Sequence, residues 1–507
     1  MTDDTERLIQ QAEALDRQGR RAEAIEVFRQ ALATRPDSAE GWYELGYLLN
    51  REGSHEQALE AYDRALALGV KRPEEVRLNR AVIYSDHLRR DEDAERELKA
   101  ALALDPSYVP ALLNLGNLHE ERGERESALV CYDLILANPR GDADPHQGLC
   151  CEALARSARL RPPVSIDDPV VLQLRHASAD AVRHGHMVRA NVLFALGSIY
   201  DRLGEFDLAF DAYAKANRCL LRMSGRSYDR NHASRLTDAM IETFATAAPE
   251  TGDLGADPNA GATPVFICGM FRSGSTLIEQ VLAGHPQVTP GGELDYLMRL
   301  AGSRLAPFPQ SMAVRNTESE AALAREYRAH LARLFPMAGP GSIITDKRPD
   351  NYLLIGLIKR LFPEAKIIHT TRHPMGNGLS IFMQHLNPKV AGYSIDLGDI
   401  GHNFGEYRRL MAHWKALYPE SILDFDYDAF VSDPTPALQR LVRFLGLDWD
   451  ERCLEFYRLR NTVKTGSYWQ VRQPLHNNAS GHWRRYEAHL GPLRSALLHA
   501  GVDPEAA

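Results

Sequence analysis

The chain has 507 residues, more than one typical hydrophobic core organises, so two or three domains are expected. With 44% hydrophobic and 25% charged residues it has the composition of a folded globular protein, which excludes a disordered one. A net charge of −9 excludes a broadly basic nucleic-acid-binding surface, though not a locally basic cleft.

The opening stretch, MTDDTERLIQQAEALDRQGR, is acidic at its start and has no apolar core of the signal-peptide kind. No run of about 18 apolar residues occurs, so no membrane span is expected. The cysteines (Cys131, Cys150, Cys151, Cys219, Cys268 and Cys453) form no C-x-x-C pair. Adjacent Cys150 and Cys151 suit neither a disulfide framework nor a zinc site. A cytoplasmic protein with reduced thiols is the expectation.

The first half repeats itself. Leu45-Gly46, Gly53, Ala58, Tyr62 and Ala65 recur as Leu115-Gly116, Gly123, Ala128 and Tyr132, then as Leu196-Gly197, Gly204, Ala209, Tyr213 and Ala216. A first unit keeps Gly19, Ala24, Phe28 and Ala31, and a weaker one Ala94, Leu98 and Ala101. Gly46 and Gly116 are 70 residues apart, two periods of 35. The first glycine lets a partner helix approach, the second ends the helix, and alanine and aromatic share one face of the next helix. The pattern resembles the tetratricopeptide repeat, a helix-turn-helix unit of about 34 residues. That resemblance implies an all-α solenoid over 1–247, irregular at about 140–190, whose concave face holds a peptide or protein. The competing reading is that the helices only scaffold or dimerise the second domain.

Residues 248–263, inside APETGDLGADPNAGATP, read as a linker. The grammar then changes. PVFICG (264–269), GSIITD (341–346), AKIIHTTR (365–372) and SILDFDYD (421–428) are short β-branched runs separated by helical patterns. They predict a parallel α/β sheet over 264–507 with ligands at the carboxyl ends of its strands.

GMFRSGST (269–276) follows the first strand and opens a helix, as a phosphate-binding P-loop does. The P-loop lysine is missing: Ser275 stands in its place, and Arg272 lies inside the loop. A triphosphate site would thereby lose its main cation. Arg272-Ser273-Gly274-Ser275-Thr276 resembles the 5′-phosphosulfate loop of sulfotransferases that use 3′-phosphoadenylyl sulfate, in particular the tyrosylprotein sulfotransferase branch. TTRHPMGNGLS places Arg372 and Ser380 eight residues apart, the spacing with which that family binds the 3′-phosphate. DYDAFVSDPTPALQRLVRFLGLDW and TGSYWQVRQPLHNNASGHWRRYE resemble later segments of the same family.

The resemblance implies a P-loop-like sulfotransferase domain that takes a sulfonate from 3′-phosphoadenylyl sulfate (PAPS), releases adenosine 3′,5′-bisphosphate (PAP) and needs no metal. It implies Glu293, in GHPQVTPGGELDYL, as general base, with His285 a weak rival. It implies Lys347, Arg272 and Ser467 around the departing oxygen. Cofactor contacts are expected from Arg272, Ser273, Gly274, Ser275, Thr276, Arg372 and Ser380, and from Arg472, Trp483 and Arg484 in the carboxyl-terminal segment. The acceptor is expected to be a hydroxyl, on a small molecule or on a peptide tyrosine held by the repeats. Residues 299–338 and the loop 386–404 are expected to shape its pocket. Two competing readings stay open: a P-loop kinase or NTPase, resting on the glycine spacing alone, and a repeat scaffold with a degenerate nucleotide domain.

Overall fold

The computed structural model describes residues 2–137, 146–180, 185–225, 228–247, 261–314, 317–466, 468–475 and 481–505. The chain divides into two compact units, one of residues 1–120 and 124–157, the other of residues 121–123 and 158–507.

The first unit is built of paired helices. Ala39–Glu52 pairs with His55–Ala67, and Val109–Arg122 leads into Arg125–Leu136. The small-residue expectation holds. A Cβ on Gly46 would lie 2.7 Å from the ring of Tyr62, and one on Gly116 2.5 Å from the ring of Tyr132. Glycine is thus what lets each pair close. Gly53 ends its helix in the left-handed region at φ 89°. In the weaker unit Arg89 takes that conformation at φ 56°, and its first helix, Pro73–Val82, runs into a π-helical turn, Ile83–His87. The periodicity fades there because an L side chain occupies the glycine position. Leu45, Leu48, Leu49, Tyr62 and Ile83 lie in this unit's buried core.

In the second unit a helical region precedes a sheet and its covering helices. His186–Leu203 and Phe206–Ser224 repeat the pair geometry, with a Cβ on Gly197 lying 2.7 Å from the Tyr213 ring. This pair and Arg230–Thr243 pack on the sheet's helices. Asn217 Nδ2 donates to the Phe382 carbonyl at 2.9 Å, Ser234 Oγ to Glu406 at 2.8 Å, and Arg230 pairs with Asp399 at 2.7 Å. Phe210 stacks on Phe382 and His489. The division into compact units therefore falls near residue 158, inside the expected repeat region; of the expected linker, 248–263, residues 248–260 lie outside the described residues. Repeat periodicity reports packing within a pair; the outward face, Phe210 and Asn217, carries no periodic mark.

The sheet has five parallel strands, β1 (Thr263–Gly269), β2 (Val288–Pro290), β3 (Ile343–Lys347), β4 (Ile367–Thr371) and β5 (Ile422–Asp426), in the order β2-β3-β1-β4-β5. Every pairing is parallel, so all carboxyl ends share one edge. β1 is buried beyond Thr263, as a strand covered on both faces must be. β2 has three residues and ends on a proline, too short a run for periodicity to reveal. The expected loop 386–404 is partly helical, since Asp396 caps the helix Leu397–Leu417 by accepting from Gly398 and Asp399. Among the described residues no helix is long and apolar enough to cross a membrane.

Candidate functional site

β1 ends at Gly269, and residues 270–274 loop back into the helix Ser275–Leu282. Gly274 caps that helix at φ 102°, and a Cβ there would meet the Tyr427 ring at 2.6 Å. Arg272 itself takes φ 68°, a left-handed conformation that costs a non-glycine residue about 1 kcal/mol or more. Strain of this kind at a strand-to-helix loop marks an imposed geometry. Ser273 is buried and donates to Thr370 Oγ1 at 2.6 Å, while Thr370 donates to the Cys268 carbonyl. The Ser273 side chain therefore pins the loop to β4, and the Ser273 amide closes the turn by donating to the Met270 carbonyl at 3.1 Å. Ser275 and Thr276 are buried in the first helical turn, where the helix dipole favours an anion.

The two motifs 100 residues apart meet. Arg272 Nε donates to Ser380 Oγ at 3.2 Å, and Arg372 Nη1 donates to the Arg272 carbonyl at 3.2 Å. β1 and β4 are neighbours, which places the loop after one against the arginine after the other. Lost hydration and the Arg372 guanidinium push Arg272 down to about 10. An anion between the two cations relieves both effects. Arg372 also lies over the Tyr427 ring at 4.7 Å, a wall that sequence reading missed because it stands in a later strand-to-helix junction.

β2 ends at Pro290, and the next residues turn Glu293 toward β3. Lys347, at the end of β3 and fully buried, donates from Nζ to Glu293 Oε1 at 2.7 Å, while the glutamate side chain is 35% exposed. The pair thus offers a carboxylate reachable from solvent, oriented from below by a buried cation. Glu293 precedes the helix Tyr296–Gly302 by three residues, so Lys347, and not a first helical turn, orients it. Beside Lys347, burial pushes Asp346 up to about 7, against the opposing hydrogen bonds from Tyr327 and Asn351. His285 accepts from the Gln287 amide at Nδ1 (3.2 Å) and turns Nε2 to the Asp448 carbonyl (3.1 Å). With both ring nitrogens engaged, it is a packing residue.

The carboxyl-terminal segment returns to the loop. Gln470 Oε1 accepts from Arg272 Nη2 at 2.8 Å, and Thr276 Oγ1 donates to Thr465 Oγ1 at 3.3 Å. Ser467, between them in sequence, lies outside the described residues. Arg472, expected as a cofactor contact, donates to the carbonyls of Leu459 (3.1 Å) and Asn461 (2.7 Å) and to that of Glu121, so its guanidinium joins its own segment to the end of the helix Val109–Arg122. Trp483 is buried, stacks on His373 at 5.2 Å and carries Arg484 over its ring at 4.8 Å. Neither Trp483 Nε1 nor His373 Nδ1 has a hydrogen-bond partner among the described residues. The flanking His482 and Tyr486 both bond to one carboxylate oxygen of Asp201, His482 at 2.8 Å. Among the described residues no group of three or more His, Cys, Asp or Glu could hold a metal.

Residues 264–451 match a family model described as the sulfotransferase family, and residues 9–73 and 190–218 match tetratricopeptide-repeat models. An uncharacterised protein of Aquifex aeolicus (strain VF5) is 28% identical over 443 residues, 84% of this chain and 54% of that protein. The chain thus spans about half the length of that relative. Protein-tyrosine sulfotransferase A of Caenorhabditis elegans is 26% identical over 270 residues, 48% of this chain and 68% of that protein. Among solved structures, the sulfotransferase domain of the Synechococcus PCC 7002 olefin synthase is 20% identical with a TM-score of 0.34, covering 48% of this chain and 96% of that one.

Proposed function

From a chain that carries a sulfotransferase-family domain beside tetratricopeptide repeats, we propose transfer of a sulfonate group from PAPS to a hydroxyl acceptor, with Glu293 as general base. The observation behind this reading is the junction of Arg272 with Ser380 and Arg372, on the same sheet edge as the Glu293–Lys347 pair.

The residues fit the donor. The loop amides and Arg272 suit a 5′-phosphosulfate, and the planar fork of Arg372 with the Ser380 hydroxyl suits a 3′-phosphate. The unpartnered Trp483 indole N–H and His373 Nδ1 suit polar atoms of a nucleotide. Bound there, the donor supplies an activated sulfuryl group and is released as PAP. Glu293 takes the proton of the acceptor hydroxyl. Lys347 and Arg272 provide positive charge where the leaving oxygen develops negative charge, and Ser467 is assigned a hydrogen bond to the same oxygen. The arrangement supports in-line displacement, and none of these roles calls for a metal.

Relatives named protein-tyrosine sulfotransferase support a peptide tyrosine as acceptor, with the repeats as the holder of that peptide. The test is an assay with labelled donor. Glu293→Ala should lower turnover by about 10²–10⁴-fold and leave PAP binding within about threefold of wild type. Full turnover in that variant removes the base assignment. Magnesium-dependent ATP binding in place of PAP binding by the wild-type chain overturns the donor assignment.

A further inference from the structure

Glu279 is a carboxylate buried in the helix that follows the anion loop, one turn beyond Thr276. Buried carboxylates are costly unless their oxygens are engaged, and burial raises the protonation point of this one. Its Oε1 is engaged twice. It accepts from the Gly292 amide at 3.0 Å and from Thr345 Oγ1 at 2.7 Å. Thr345, fully buried on β3, accepts in turn from the Gly291 amide, at its carbonyl (3.1 Å) and at Oγ1 (3.2 Å). The Gly292 carbonyl accepts from the Lys347 amide at 2.9 Å. Gly291 can hold this place only as glycine, since a Cβ would stand 2.1 Å from the Thr345 carbonyl oxygen.

These bonds converge on two residues, Gly291 and Gly292, whose sole successor in the turn is Glu293. The turn joins β2 to the site, and two glycines leave its backbone with more freedom than any other pair would. A base must sit within hydrogen-bond reach of the proton it takes, and misplacement by about 1 Å can cost about 10²-fold. Glu279 reaches the turn from the helix of the anion loop, and Thr345 reaches it from the strand that ends in Lys347. One atom, Glu279 Oε1, therefore ties together the elements that carry Arg272, Lys347 and Glu293.

We propose that Glu279 is a positioning residue: by clamping the Gly291–Gly292 turn to the loop helix and to β3, it sets the placement of Glu293 beside Lys347. The inference rests on Glu293 being the base, and it concerns placement, not contact with the donor or acceptor.

The test compares Glu279→Gln, Glu279→Ala and Thr345→Val in the full-length protein. Glutamine keeps an oxygen acceptor for both donors, so its kcat should stay within about threefold of wild type. Alanine removes the clamp and should lower kcat about 30–100-fold, with KM and the Kd for PAP within threefold. Thr345→Val removes one leg and should fall between them. In parallel, hydrogen exchange at the Gly292 amide should quicken at least tenfold in Glu279→Ala and stay near wild type in Glu279→Gln. Unchanged exchange and kcat in the alanine variant overturn the proposal. So does a glutamine variant as impaired as alanine, or a loss of kcat that comes only with lost PAP binding. Should Glu279→Ala fail to fold, Thr345→Val decides by the same readouts. Quickened exchange without any sulfonate transfer by the wild-type protein refutes the functional reading and leaves the clamp standing.

Discussion

Arg272 turns its Nε to the hydroxyl of Ser380, 3.2 Å away, although 108 positions separate them in the chain. The loop expected to hold the 5′ end of a nucleotide and the helix expected to hold its 3′-phosphate are thus one hydrogen bond apart. Ser380→Ala should weaken PAP binding roughly tenfold, the worth of a hydrogen bond to a charged group. Arg272→Lys should weaken it more, because an ammonium cannot serve Ser380, Gln470 and an anion with one planar fork. Isothermal titration of each variant with PAP measures both, and unchanged affinity in Ser380→Ala counts against a shared anion site.

Lys347 is fully buried against a half-exposed Glu293. Lys347→Met keeps the volume and removes the charge. Turnover should fall about 10²–10³-fold, as for loss of one preorganised group facing developing charge. PAP affinity should change less than threefold. Single-turnover kinetics with labelled donor separate the two, and a variant that loses affinity but not turnover would place Lys347 in binding alone.

Asp346 gives the second unit an acid-side signature. Burial raises its protonation point in the fold to about 7, above the roughly 3.9 of an unfolded aspartate. Between these values the folded state holds a proton that the unfolded state has lost. Its contribution to stability is complete below about pH 4 and is lost as pH rises through about 7, with a slope approaching 1.4 kcal/mol per pH unit for this group. Urea unfolding from pH 4.5 to 7.5 should show a weaker decline in Asp346→Asn than in wild type. Equal slopes would assign the decline to other groups.

Gly197 sits where a Cβ would meet the Tyr213 ring at 2.7 Å. Gly197→Val forces the helix pair apart and should cost about 1–3 kcal/mol. Thermal unfolding should show this as a lower midpoint, and a variant as stable as wild type would mean that the pair can reseat.

Much of this architecture is legible in the sequence. The β-branched runs at 264–269, 341–346, 365–372 and 421–428 correspond to β1, β3, β4 and β5 with shifts of one or two residues at most ends. The resemblance to the sulfotransferase family singles out Arg372 and Ser380, and parallel pairing of β1 with β4 brings them to the loop. Arg472 shows the limit. A basic residue near an expected anion site looks the same in sequence whether it meets a phosphate or, as here, the carbonyls of Leu459 and Asn461. Glu279 carries no motif of its own, and Tyr427 carries none that marks it as a wall, since an aromatic face and a buried helical carboxylate acquire meaning only from neighbours distant in sequence. That the helix pair 186–224 packs with the sheet is not legible for a related reason: Phe210 and Asn217 face the sheet's helices, and the repeat signature is silent about that side.

Asp201 lies in the last turn of the helix His186–Leu203, and its carboxylate holds His482 and Tyr486, which bracket Trp483. The helix pair and the aromatic wall cannot move independently without breaking both bonds. If a nucleotide binds against Trp483 as proposed, the free energy it draws from an ordered Trp483 is shared with the helix pair, and a ligand that shifts that pair changes its affinity by the same factor. The last repeat is in this sense a lever on the sheet domain as much as a neighbour of it.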